Sequence, residues 1–152
     1  MNLKYILKEL SGISSTGNTG TADCLHQIAE KIKRRGIIII ISDLLDNQDE
    51  VLKSLSHFRY DKNEVIVFQI LDPVEISFLD GSPVRLVDAE TKEEIYSRPV
   101  DMKNEYAKAM QAFIKKYKDG CISENIDYTL LTTDTPFDIS LLKYLNKRAK
   151  NY

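Results

Sequence analysis

Two hydrophobic rhythms divide this chain. Ile37 to Ile41, "IIIII", and Glu64 to Asp72, "EVIVFQILD", are apolar runs without alternation, the pattern of strands covered on both faces of a parallel sheet; Tyr128 to Thr133, "YTLLTT", is a third. Around them apolar residues recur at helical spacing: Leu3, Ile6, Leu7 and Leu10; Cys24, Leu25, Ile28, Ala29 and Ile32; Val51, Leu52, Leu55 and Phe58. Two more stripes follow, Met102, Tyr106, Met110, Phe113, Tyr117 and Cys121, and then Leu141, Leu142 and Leu145, which are expected to face inward. Helix and strand therefore alternate, predicting an α/β fold with parallel strands near 37–42, 65–71 and 127–133.

Punctuation supports these boundaries. Thr21 is placed to cap the second helix, whose basic last turn, Lys31 to Arg35, ends at Gly36. Asp101 and Asn104 suit the start of the fourth stripe, with Gly120 near its end, and Thr135-Pro136-Phe137-Asp138 resembles a capping box. Residues 73–100 have a different texture, short apolar runs broken at Asp80-Gly81 and by "DAET". That predicts a β-hairpin insertion near 76–98, with Val84 to Val87 pairing back on Glu94 to Ser97 around a turn at Ala89 to Lys92.

Composition narrows the class. The 152 residues, 43% hydrophobic and 29% charged, read as one domain, 1–152, with a core of its own. A net charge of −2 gives no overall attraction to nucleic acid or anionic membrane, and no run approaches the roughly 18 apolar residues of a membrane span. Without the apolar core of a signal peptide the chain reads as cytoplasmic. Cys24 and Cys121 lie within helical stripes and read as reduced core thiols. His26 and His57 read as surface histidines, and the basic residues Lys143, Lys147, Arg148 and Lys150 suit the last turns of a helix.

Candidate chemistry gathers where the strands end. Parallel strands joined by helical crossovers put their carboxyl ends on one edge, where open α/β sheets bind ligands. That edge would carry Ser42, Asp43 and Asp46, then Asp72, then Thr132, Thr133 and Asp134, with the Gly/Thr loop at Thr19 to Thr21 brought close. Such oxygen donors suit a hard cation such as Mg²⁺; the same residues equally suit loops and helix caps.

The stretches "RRGIIIIISDLLD", "EVIVFQILDPVE", "GSPVRLVDAETKEEI" and "TPFDISLLKYLNKR" resemble, in that order, the C-terminal part of a bacterial family called domain of unknown function 58. Its members look like divergent von Willebrand factor A domains, three-layer and Rossmann-like, often encoded beside MoxR-type AAA+ ATPases. The resemblance implies a metal-ion-dependent adhesion site built from a DxSxS motif, a later Thr and an Asp after a central strand. Asp43 matches that Asp and Thr19 best matches the Thr, with Thr21 the alternative and Asp46 an additional ligand. No DxSxS is present, so the implied site is degenerate. The resemblance also implies a truncated domain whose first three strands are missing, leaving Ile37 to Ile41 as an edge that either pairs with a second copy through 37–42 or is covered by the rest of a longer product.

The expected function is a non-enzymatic interaction domain, with a MoxR-type AAA+ ATPase as the partner the resemblance implies and Mg²⁺ bound only if the missing segment supplies the other ligands. The alternative is a Mg²⁺-dependent phosphoryl-transfer or phosphoacceptor domain using Asp43. Against it, Asp43 and Asp46 form D-x-x-D rather than D-x-D, "LLTTDTPFD" carries no lysine, and neither GxxxxGK nor GxGxxG occurs.

Overall fold

A computed structural model describes residues 2–13, 20–78, 84–87, 94–97 and 99–151. The elements in chain order are α1 (Leu3–Ser11), α2 (Thr21–Lys31), β1 (Ile37–Ser42), α3 (Gln48–Tyr60), β2 (Glu64–Leu71), α4 (Pro73–Ser77), β3 (Val84–Val87), β4 (Glu94–Ser97), α5 (Pro99–Ser123), β5 (Asp127–Thr132) and α6 (Phe137–Asn151). The fold is α/β: β1, β2 and β5 form a parallel sheet in the order β1-β2-β5, with Ile39 beside Ile66 and Phe68 beside Thr129. β3 and β4 form the expected antiparallel hairpin, Val84 opposite Ser97 and Val87 opposite Glu94; its turn lies outside the described residues.

The central strand behaves as its sequence demands. Val65, Ile66, Val67, Phe68 and Gln69 are all buried, because β2 has a strand on each side and side chains packed on each face. On one face the main core joins Leu25 and Ala29 of α2, Ile40 of β1, Val51, Leu55 and Phe58 of α3, and Tyr117 and Cys121 of α5. On the other face the cover is thinner: Ile66 and Phe68 pack with Leu131 and with Tyr144 of α6.

Several expectations need correction. The unbroken isoleucine run implied two covered faces, yet only Ile40 is buried and Ile38 half-buried, while Ile37, Ile39 and Ile41 are exposed. Five isoleucines look alike in sequence, but an edge strand with helices on one side buries alternate residues only. In α6 the inward positions are Ser140 and Tyr144, and Leu141, Leu142 and Leu145 are exposed. Tyr144 takes the inward position through its ring on Phe68 and its hydroxyl on Asp127, so the leucines turn out. The hairpin insertion begins later than expected, because Asp72 and Glu75 form a capping box that makes Pro73–Ser77 a short helix.

Cys24 is exposed rather than a core thiol, and Cys121 is buried; both are free. Burial pushes the Cys121 thiol up to about 12. Gly120 lies in the last turn of α5, near its end as expected, where a Cβ would approach Leu52 Cδ2 to 2.7 Å, so the missing side chain is what lets α5 and α3 pack closely.

Candidate functional site

The carboxyl edge of the sheet carries the residues that the pattern placed there, engaged partly with the backbone and partly, as at Asp72 and Thr133, with one another. Thr21, the expected cap, is the first residue of α2, and the cap position, Gly20, offers no side-chain bond. Asp46 serves instead, from a different part of the chain: its Oδ2 accepts from Ala22 N at 3.1 Å and its Oδ1 from Asn47 N at 2.6 Å. The Asn47 and Ala22 amides hold the Asp46 carboxyl below its ordinary value, against a smaller opposing effect of burial. This contact brings the start of α2 to the sheet edge, the crossover geometry expected from sequence. Thr19 lies outside the described residues.

Asp43 is exposed, and its Oδ1 accepts from Leu45 N at 3.1 Å. Ser42 Oγ accepts from Leu44 N at 3.1 Å, so "SDLL" closes on itself in a tight local turn. Leu44 adopts φ 59°, the left-handed region that disfavours a side chain, and is nevertheless fully buried. Such a conformation persists only where its surroundings over-determine it.

The surroundings are three polar side chains that the sequence pattern did not single out. Gln69, fully buried in β2, donates from Nε2 to the Asp43 carbonyl at 2.9 Å and accepts at Oε1 from the Tyr128 hydroxyl at 2.6 Å. Tyr117, also fully buried, donates to the Leu44 carbonyl at 2.9 Å. Burial raises the pKa of both tyrosines, and at Tyr117 the nearby Asp46 charge adds to it, so both hydroxyls remain donors at neutral pH. One signal was legible: a glutamine inside "EVIVFQILD" is a polar residue in a strand that must be buried, and such a residue needs partners.

The rest of the edge is likewise bonded internally. Asp72 Oδ2 accepts from Thr133 Oγ1 at 2.6 Å and its Oδ1 from Val74 N at 2.8 Å, and these bonds, Thr133 foremost, lower its pKa. Thr132 and Thr135 share a hydroxyl contact at 3.1 Å, and Thr135 bonds Asp134 at 3.4 Å. Beside Asp46 a cleft of about 280 Å³ opens between α2 and α3, lined by Asp23, His26, Asp46, Glu50 and Lys53 among others. His26 and His57 meet across these helices with ring centroids 5.6 Å apart.

Mg²⁺ takes one or two carboxylates together with water and other oxygens. Both oxygens of Asp46 are held by backbone amides, and among the described residues no group of three or more His, Cys, Asp or Glu is placed to hold a metal. The described donors therefore fall short of a Mg²⁺ site. What they form is an acidic, internally hydrogen-bonded sheet edge with Asp43 exposed to solvent.

The sequence pattern of the family described as Protein of unknown function DUF58 matches residues 2–116, well over half of the chain. The chain belongs to this family. The match takes in three of the four stretches that carried the resemblance; "TPFDISLLKYLNKR", in α6, lies beyond it. No curated protein and no solved structure matches the chain.

Proposed function

We propose that this chain is a non-enzymatic protein-binding module that docks a partner on the carboxyl edge of its parallel sheet around Asp43. The observation that carries the reading is the combination of a fully buried scaffold beneath the loop, Gln69 on the Asp43 carbonyl and Tyr117 on the Leu44 carbonyl, with an exposed carboxylate above it. Pre-ordering a backbone around one charged side chain lowers the entropy lost when a partner binds, which is a benefit to recognition. It supplies no nucleophile-base pair by itself.

Within this reading the edge descends from a metal-ion-dependent adhesion site, a view supported by the family resemblance at Asp43 and Thr19. The same resemblance supports a MoxR-type AAA+ ATPase as the partner. Isothermal titration of the purified chain with a MoxR-type AAA+ ATPase tests the partner and the docking edge. Asp43→Lys is expected to weaken binding ~10-fold or more, because it reverses a charge at the contact while leaving the buried scaffold intact. Equal affinity for the native chain and the variant overturns the docking edge, and turnover of a phosphoester that disappears in Asp43→Ala overturns the non-enzymatic reading.

A further inference from the structure

The thinly covered face of the sheet carries an inference independent of the docking edge. On that face Ile37, Ile39 and Ile41 of β1 are 59, 56 and 67% exposed, and they lie in register beside Glu64, Ile66 and Phe68 of β2. Next to them stands α6, whose outer side chains Leu141, Leu142 and Leu145 are 41, 59 and 49% exposed. Lys143 and Lys147 line a cleft along β5, so helical spacing puts Leu141 and Leu145 on the opposite flank, toward β1.

We propose that these two apolar surfaces cover each other in a two-fold dimer, the leucine ridge of α6 in one copy lying on the isoleucine face of β1 in the other, and reciprocally. A parallel sheet in an α/β protein has helices on both faces, and among the described residues none covers β1 on this side. The three isoleucines span ~13 Å along the strand and the three leucines ~6 Å along the helix, so the leucine ridge seats on about half of the isoleucine row. Six half-exposed aliphatic side chains at ~100 Å² each offer ~600 Å² of apolar surface per copy, against the ~800 Å² in total that each partner buries in a stable interface. The isoleucines and leucines would thus form its apolar centre, and the surrounding polar residues its rim.

Because the two surfaces lie side by side on one face, a two-fold axis between them sets each on the other's counterpart, and the contact closes at two. β1 pairs only with β2 among the described residues, so its other edge is open as well. Edge-to-edge pairing of two β1 strands alone would satisfy that backbone but leave the isoleucines of both copies bare, which is why the face contact is required.

Sedimentation equilibrium of the full chain tests the proposal, with a mass of twice the 17.4 kDa chain expected for the native protein at micromolar concentration. Ile39→Lys and Leu145→Glu alter exposed side chains, so each variant is expected to keep the native circular dichroism and to sediment at the single-chain mass. Mixed in equal amounts, they are expected to recover the double mass, since one of the two contacts then pairs the introduced lysine with the introduced glutamate and the other keeps its native residues. A native chain of single mass at all concentrations overturns the proposal, as does failure of the mixture to associate. So does a dimer dispersed by Leu7→Glu in α1 but not by Leu145→Glu, which would make the exposed apolar side of α1 the covering element.

Discussion

Replacing Gln69 with leucine keeps the volume of the side chain and removes both of its hydrogen bonds. The Asp43 carbonyl loses its donor at 2.9 Å and the Tyr128 hydroxyl loses its acceptor at 2.6 Å. A buried polar group left unpaired costs about 1–3 kcal/mol; Tyr128, half-buried, recovers part of its loss from water, so the variant is expected to lose ~2–4 kcal/mol. With a urea slope of about 1–3 kcal/mol/M the unfolding midpoint should fall by ~1–2 M without a change in slope.

A double-mutant cycle separates this network from general damage to the strand. Tyr128→Phe alone removes the hydroxyl and leaves Gln69 Oε1 unpaired, for an expected loss of ~1 kcal/mol. Once that hydroxyl is gone, Gln69→Leu orphans only the Asp43 carbonyl, so the double variant should be more stable than the sum of the singles predicts by ~1 kcal/mol. Hydrogen exchange at Leu45 and Asp46 should quicken in Gln69→Leu, since the loop loses a tether. A Gln69→Leu protein within ~0.5 kcal/mol of native, or strict additivity in the cycle, would refute the argument that this network holds the loop.

Tyr117→Phe keeps the ring packed edge-to-face on Phe113 and leaves the Leu44 carbonyl with the Asp46 amide, at 2.8 Å, as its remaining donor; a loss of ~0.5–1.5 kcal/mol is expected in urea unfolding, and an unchanged midpoint would show that the loop does not depend on the tyrosine bond. Asp46 has a depressed folded-state pKa, so its contribution is complete above the unfolded value of about 3.9 and is lost as pH falls through the folded value. Unfolding midpoints measured from neutral to acid pH should therefore drop less steeply below about pH 4 in Asp46→Asn than in the native chain; parallel curves would contradict the capping role. Arg148 ties α6 to both strands beneath it, pairing with Glu64 and, at 3.7 Å, with Asp127, and bonding the Tyr144 hydroxyl at 3.1 Å. Arg148→Met should lower the unfolding midpoint at low salt, with the difference shrinking as salt rises; a salt-independent loss would point to packing instead. Phe58→Ala, in the fully buried core, should cost ~3–5 kcal/mol by denaturant unfolding, and a loss under ~1 kcal/mol would show that α3 repacks around the cavity.

Much of the architecture was legible before any coordinates. Period and turn chemistry alone marked β1, β2 and β5, the hairpin with its pairing of Val84 to Val87 on Glu94 to Ser97, and most of the helical stripes. The family followed from stretches of residues at fixed order, most of them inside the matched region 2–116. These are local properties, because the spacing of apolar residues and the residues at turns reflect the backbone geometry of each segment.

What the chain could not announce is which neighbours each element meets. Ile37 to Ile41 are five equal residues in sequence, and only the sheet order β1-β2-β5 divides them into a buried and an exposed set. Leu141, Leu142 and Leu145 read as an inward stripe until Tyr144 and Ser140 are found facing the sheet. Asp43 and Asp46 were legible as acids after a strand, whereas the tertiary structure decided that Asp46 caps α2 and that Gln69, Tyr117 and Tyr128 support the Asp43 loop. Those bonds join residues distant in sequence, so no local pattern encodes them; burial of a polar side chain is the only trace they leave, and its partners are fixed by packing.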